Sequence, residues 1–221
     1  FYMICIFMFI YAAFRYFGIF SERSVKDVLG WLVKFIGYYA VALMIAAVIF
    51  LPVIMTLFGT DRFQAENYVP LLYDRIYYEK YLGDLIGENM IQWGVAGYSA
   101  VAMAGVFVLF SRKKKYLDLK LGFGLLNLFL LVPFAGHALN GFSYVSNRWI
   151  WAYGMMIAYI FVKAYPELFT LTVREKKKIF VMVVAYCVLA LFAKAARTQR
   201  NMAGVLVLVL AVFTVTSFGN I

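Results

Sequence analysis

Long apolar runs separated by short polar clusters set the pattern of this chain. Runs free of formal charge extend from Phe35 to Thr60, Asn89 to Ser111, Leu121 to Asn147, and Asn201 to the end. Each is near or above the ~20 residues that carry a helix across a bilayer. Trp149 to Val162 and Ile179 to Ala193 are shorter. The basic side chains at their ends, Arg148, Lys163, Lys178 and Lys194, can reach the interface while their stems stay in hydrocarbon. The opening run Phe1 to Phe20, apolar except for Arg15, supplies a further helix. The pattern predicts an all-α fold, a polytopic transmembrane helical bundle of about seven spans, making residues 1–221 a single transmembrane domain.

Between the second and third of these helices the pattern changes. Asp61, Glu66, Asp74, Glu79, Asp84 and Glu88 stand against only Arg62, Arg75 and Lys80. After Pro70, which can open a helix, Leu72, Ile76, Leu82, Leu85 and Ile86 recur roughly at helical spacing, interleaved with Tyr73, Tyr77, Tyr78 and Tyr81. This predicts an outer-face amphipathic helical segment within an extracytoplasmic, interfacial stretch over 61–90. Its tyrosines fit an anchoring aromatic belt or a platform on which sugar rings or a lipid headgroup stack. Its carboxylate pairs, Asp74 with Glu79 and Asp84 with Glu88, fit a solvated face or general acid–base work.

Composition confirms the class: 65% of residues are hydrophobic, 19% aromatic and 14% charged, with a mean hydropathy of +0.84, beyond the range of a soluble domain. The net charge of +10 changes the picture by orienting the spans, because Lys and Arg concentrate in cytoplasmic loops. Arg15, Arg23, Lys26 and Lys34 lie around the first connection, Arg112 to Lys115 with Lys120 around the third, and Lys163, Arg174 and Lys176 to Lys178 around the fifth. That side is assigned to the cytoplasm. The opposite face receives residues 61–88, the Asn140 segment and Lys194 to Arg200. The basic balance therefore speaks for anionic membrane lipids as partners and against nucleic acid.

Cys5 and Cys187 sit in apolar runs without ligand spacing, so neither a disulfide framework nor a metal site is expected. No cofactor is identified. The chain opens on Phe without a charged n-region or small-residue cleavage site, so it reads as a piece of a longer protein rather than a signal peptide. Gly94, Gly97 and Gly105, with Ala96, Ala100 and Ala104, give a small-residue stripe suited to close helix packing. Pro52 and Pro133 mark kinks near the outer ends of their helices.

The stretch Asn140 to Trp151 carries the most chemistry. Asn140, Ser143, Tyr144, Ser146 and Asn147 supply donors and acceptors, and Trp149 and Trp151 suit headgroup depth. Gly136 and Gly141 let the backbone bend. Arg148 has no acidic residue within twenty positions before it and none after it until Glu167. Its charge is left for water, lipid phosphate or a bound anion, and a planar guanidinium matches phosphate bidentately. His137, the single histidine, lies just past Pro133 as a proton carrier, phosphate contact or satisfied interfacial residue. An ordinary turn with an arginine snorkelling outward accounts for the same residues. Lys194, Arg197 and Arg200 form a second outer basic cluster.

The string HALNGFSYVSNRWI over His137–Ile150 resembles the bacterial YfhO-like membrane proteins. So do the opening FYMICIFMFIYAAFRYF, the Pro52 helix followed by the Tyr-rich segment, and the spacing of the spans. The resemblance runs essentially from end to end. It implies a multi-pass bacterial cell-membrane protein of GT-C-like architecture that transfers sugar from a polyprenyl-phosphate-linked donor to a cell-envelope polymer such as teichoic acid on the outer face. It leaves room for a divalent metal in the full-length enzyme. In similar enzymes the catalytic acid belongs to the first outer loop, which this chain is expected to lack. No catalytic carboxylate is carried over, and the piece alone is expected to be inactive. Rival classes are a lipid or polymer transporter or flippase, and a non-catalytic structural membrane protein. Charge-free span middles and the lack of an evident internal repeat weigh against transport.

Overall fold

The computed structural model describes residues 2–17, 25–59, 68–87, 90–112 and 115–218. Arg23, Asp61, Arg62, Glu66, Glu88, Lys113 and Lys114 lie outside the described residues, so the charge assignments made on them are not addressed by the structure. The chain divides into two units, one spanning Cys5–Tyr68 and the other Val69–Ile221 with the first four residues.

The first unit is built on two helices, α1 (Tyr2–Phe17) and α2 (Val25–Phe58). Phe9 of α1 packs on Trp31 and Phe35 of α2, with ring centroids 5.6 and 5.1 Å apart, and Trp31 stacks on Phe35 in turn. Within its apolar stretch Lys26–Thr56 no residue of α2 is buried inside the protein. A helix apolar all round and unburied needs lipid to cover it. Pro52 lies inside α2, which continues past it to Phe58.

The second unit is organised around α4 (Ala100–Ser111). This helix is apolar on every side and accordingly buried almost throughout. It packs against α7 (Ile150–Ala164), α8 (Val173–Ala190) and α9 (Gln199–Phe218). Close approach is set by glycine, because a Cβ on Gly105 would lie 2.8 Å from the Phe161 Cα and one on Gly204 2.3 Å from the Ile86 carbonyl oxygen. The expected small-residue stripe is thus divided. Ala104 and Gly105 pack in α4, whereas Gly94, Ala96 and Gly97 belong to the two-residue ladder β1–β2 (Met90–Ile91, Gly94–Val95) and the loop after it.

At its C-terminal end α4 exposes unpaired carbonyls, and cations meet them. Lys178 donates to Phe110 and Ser111 carbonyls at 3.1 and 3.4 Å, and Lys120 to that of Arg112. Arg112 pairs with Glu175 and, at 3.0 Å, with Glu167, which also takes Lys115 and the Tyr116 hydroxyl. A Thr172–Glu175 capping box starts α8 there. The basic clusters around 112–120 and 163–178, read from sequence as sharing one side, therefore do converge at one end of this unit.

Helix α3 (Arg75–Gly87) differs from expectation. Its burial changes along its length rather than by face: Tyr81 and Gly83 to Gly87 are all enclosed, with Asp84 accepting from buried Asn201 at 3.1 Å. Its pattern of Leu and Tyr is that of a helix inserted among α4, α8 and α9, not of one with a solvent face.

The span count is met in part. Among the described residues, Lys26–Thr56 and Gln199–Ser217 are long and apolar enough to cross a membrane, and a third span results if α5 (Leu117–Leu131) and α6 (Pro133–Leu139), bent by 97°, are taken together. The remaining charge-free windows do not each coincide with one helix of crossing length among the described residues. Asn89 to Ser111 is shared between the ladder and the 12-residue α4, Leu121 to Asn147 is cut at Pro133, and α7 has 15 residues.

Candidate functional site

Proline decides the geometry of the site. Pro133 has no N–H and its ring crowds the preceding turn, so a helix cannot run through it unchanged. The chain bends by 97° between α5 and α6, and the carbonyls of Leu130 and Leu131 lose the N–H groups of residues 134 and 135; the Ala135 N–H turns instead to Val132, at 3.0 Å. An orphaned buried carbonyl costs about 1–3 kcal/mol. Tyrosines of α3 answer this: Tyr77 donates to the Leu130 carbonyl at 2.6 Å and Tyr78 to that of Leu131 at 3.0 Å. One helical turn on, Tyr81 donates to Asn127 of α5 at 2.7 Å.

Opposite the break, Gln92 and Trp93 form the turn of the β1–β2 ladder with φ of 43° and 70°. Two successive left-handed residues suit the twist of a tight hairpin, but without glycine each costs roughly 1–2 kcal/mol. Asn147 fastens this turn, its N–H donating to the Gln92 carbonyl at 2.8 Å. Its side chain takes the Tyr73 hydroxyl on Oδ1 at 3.4 Å and donates from Nδ2 to the Tyr77 hydroxyl at 3.2 Å. Burial pushes the Tyr73 hydroxyl up to about 12, so it stays a donor in neutral solution.

The Asn140–Trp151 segment then sorts its members by direction. Ser146, Asn147 and Trp149 have no exposure at all, and Ile150 has 2%. Arg148 between them is exposed. Its guanidinium lies 5.6 Å over the Tyr144 ring, and its N–H donates to the Ser146 hydroxyl at 3.3 Å. Among the described residues no carboxylate comes within ion-pair distance of it. Asn140 donates to the Tyr144 carbonyl at 3.0 Å, shaping the loop beneath the cation, and Gly141 and Phe142 adopt positive φ to make it turn.

The other expected site residues are dispersed in role. Trp149 does not sit at a surface but turns its ring edge-on to Phe129 of α5, 6.1 Å away, whereas Trp151 is part-exposed. Ser143 is half-buried. His137 packs edge-on against Phe142 at 5.5 Å, with Nδ1 buried and without a hydrogen-bond partner among the described residues. In the second cluster, Arg197 donates to the Leu191 and Phe192 carbonyls that end α8, at 3.0 and 3.2 Å. Lys194 and Arg200 are exposed. Sequence reasoning missed the tyrosine hydroxyls as partners of the break. The signal was present in Pro133 and in the spacing of Tyr77, Tyr78 and Tyr81, but an aromatic belt explains the same letters. No group of three His, Cys, Asp or Glu side chains that could hold a metal ion occurs among the described residues.

Apolar helices of membrane-crossing length and a helix broken at a proline define an all-α membrane protein, in which an exposed arginine stands out from a buried loop. The chain belongs to the family described as bacterial membrane protein YfhO, whose family model matches residues 1–220. Neither a curated protein nor a solved structure matches it.

Proposed function

We propose that this chain is the membrane portion of a multi-pass, GT-C-like glycosyltransferase. On this reading it moves a sugar from a polyprenyl-phosphate-linked donor to a cell-envelope polymer such as teichoic acid at the outer face, and about seven passes place Arg148 at that face. The observation that carries the reading is the isolation of Arg148: an exposed guanidinium between residues with no exposure, over Tyr144, with no carboxylate of the described residues in reach.

In such a transfer the acceptor hydroxyl loses its proton to a base and its oxygen attacks the anomeric carbon. The bond from that carbon to the phosphate oxygen breaks, and the polyprenyl phosphate departs with an added negative charge. Arg148 meets that charge with two parallel N–H groups. The base is a carboxylate, a role assigned to none of the described acids. His137 and Asn140 flank the phosphate, and Asn147 acts from beneath. The divalent ion that the resemblance leaves room for finds no ligand set among the described residues, and no step is assigned to one.

Losing a donor of this kind costs about 10²–10³ in rate. Arg148→Ala in the chromosomal gene is expected to reduce polymer glycosylation by that factor with normal protein abundance. Lys194→Ala and Arg200→Ala are expected to stay near wild type. Equal glycosylation in Arg148→Ala rejects the reading. A second reading, a lipid path, is favoured by the 97° break in α5–α6, because transporters build their sites on broken helices. It predicts that purified protein moves labelled polyprenyl phosphate across vesicle membranes without any acceptor.

A further inference from the structure

The groups that hold the α5–α6 break also hold the residue next to Arg148. Tyr77 uses one hydroxyl twice, donating to the Leu130 carbonyl at 2.6 Å and accepting from Asn147 Nδ2 at 3.2 Å. Leu130 and Asn147 are both without exposure, so neither has water as a substitute partner. The far leg of the break closes on the same residue: a Cβ on Gly136 of α6 would lie 2.9 Å from Asn147 Oδ1 and 3.1 Å from the Tyr73 hydroxyl. The strained Gln92–Trp93 turn is tied to the Asn147 N–H. Four parts of the unit, α3, α5, α6 and the ladder turn, thus converge on Asn147, and the next peptide carries the exposed cation.

We propose that Tyr77 and Asn147 are positioning residues: the Tyr77 hydroxyl fixes the bend between α5 and α6, and Asn147 passes that fixed geometry to Arg148. This rests on the phosphate-binding role of Arg148 for its functional meaning. The bend itself is a separate, measurable quantity. Without the two tyrosine hydroxyls the Leu130 and Leu131 carbonyls regain partners only if the chain moves toward a more continuous helix. Asn147 then loses the acceptor for its Nδ2, and the backbone at 148 is no longer pinned on that side.

The test uses the full-length protein in lipid nanodiscs, with Cys5→Ala and Cys187→Ala as background. Spin labels are placed on Leu121→Cys and Phe142→Cys, both exposed positions at 48% and 56%. A continuous helix over that interval would hold its ends about 32 Å apart, and the bent pair holds them closer. Tyr77→Phe is expected to lengthen and broaden the distance distribution, while Tyr81→Phe, which removes a buried hydroxyl bonded to Asn127 rather than to the break, leaves it unchanged. In unlabelled protein, Tyr77→Phe is expected to weaken binding of a short polyprenyl monophosphate about tenfold.

An unchanged distance in Tyr77→Phe, or a change equalled by Tyr81→Phe, overturns the proposal whatever Arg148→Ala does. Should Tyr77→Phe not fold, Tyr78→Phe strips the Leu131 carbonyl of its donor and the Tyr73 N–H of its acceptor and is expected to lengthen the distance in the same direction; no lengthening overturns the proposal. Binding of the same phosphate unaffected by Arg148→Ala rejects the phosphate reading itself, a result independent of the distances.

Discussion

At residue scale the decisive contrast is between neighbours. Arg148 is exposed while Asn147 and Trp149 on either side are sealed, so the backbone that presents the cation is held at both flanks. Trp149→Ala removes a fully buried indole and is expected to cost about 3–5 kcal/mol, read as a loss of thermal stability in detergent. Trp151→Ala, at a part-exposed position, should cost well under that in the same melt. The kinds of side chain in this segment, and the absence of a nearby acid for Arg148, were legible in the sequence. Which of them turn inward was not, because that depends on Gln92, Tyr73 and Tyr77, from a segment more than fifty positions away.

Helices and their joints follow from local rules where the rules have no competitor. Pro133 was legible as a break, and the acid–base pairing at the end of α4 was foreshadowed by basic clusters that share a side. The role of α3 was not legible. Tyrosines at helical spacing suit an interfacial belt as well as an inserted helix, and only the orphaned Leu130 and Leu131 carbonyls distinguish the two. Glycines give a sharper test. Gly204→Ala must push α9 away from the Ile86 carbonyl and is expected to destabilise by about 1–3 kcal/mol. Gly124→Ala, with nothing within 4 Å of the new Cβ, should be neutral or stabilise by up to roughly 1 kcal/mol. Thermal melts of the two variants side by side decide it.

The ionic joint at the end of α4 carries its own pH dependence. The Lys115 hydrogen bond, helped by Tyr116 and Arg112, holds the Glu167 carboxyl below its ordinary 4.5. A lowered folded-state pKa stabilises the protein above the unfolded value, and that stabilisation is lost as pH falls through the folded one. Melting temperature should therefore drop on acidification below about 4.5, and Glu167→Gln should be less stable at neutral pH with a shallower acid slope. An unchanged slope in Glu167→Gln would assign the acid sensitivity to other groups.

For the whole molecule, membership in the bacterial YfhO family and an all-α fold with two helices of membrane-crossing length, or three with the broken pair, agree with what hydropathy indicates. The expected number of passes is met in part, since hydropathy reports where charge is missing and not where a helix begins, bends or ends. The functional account depends on which side of the membrane the 140–149 loop faces. The direct measurement is reaction of Arg148→Cys, in the Cys5→Ala and Cys187→Ala background, with a membrane-impermeant maleimide added to intact cells. Labelling without permeabilisation, to the same extent as after it, is the predicted result. Labelling that appears only once the membrane is opened would place the cation on the inner side and contradict the account.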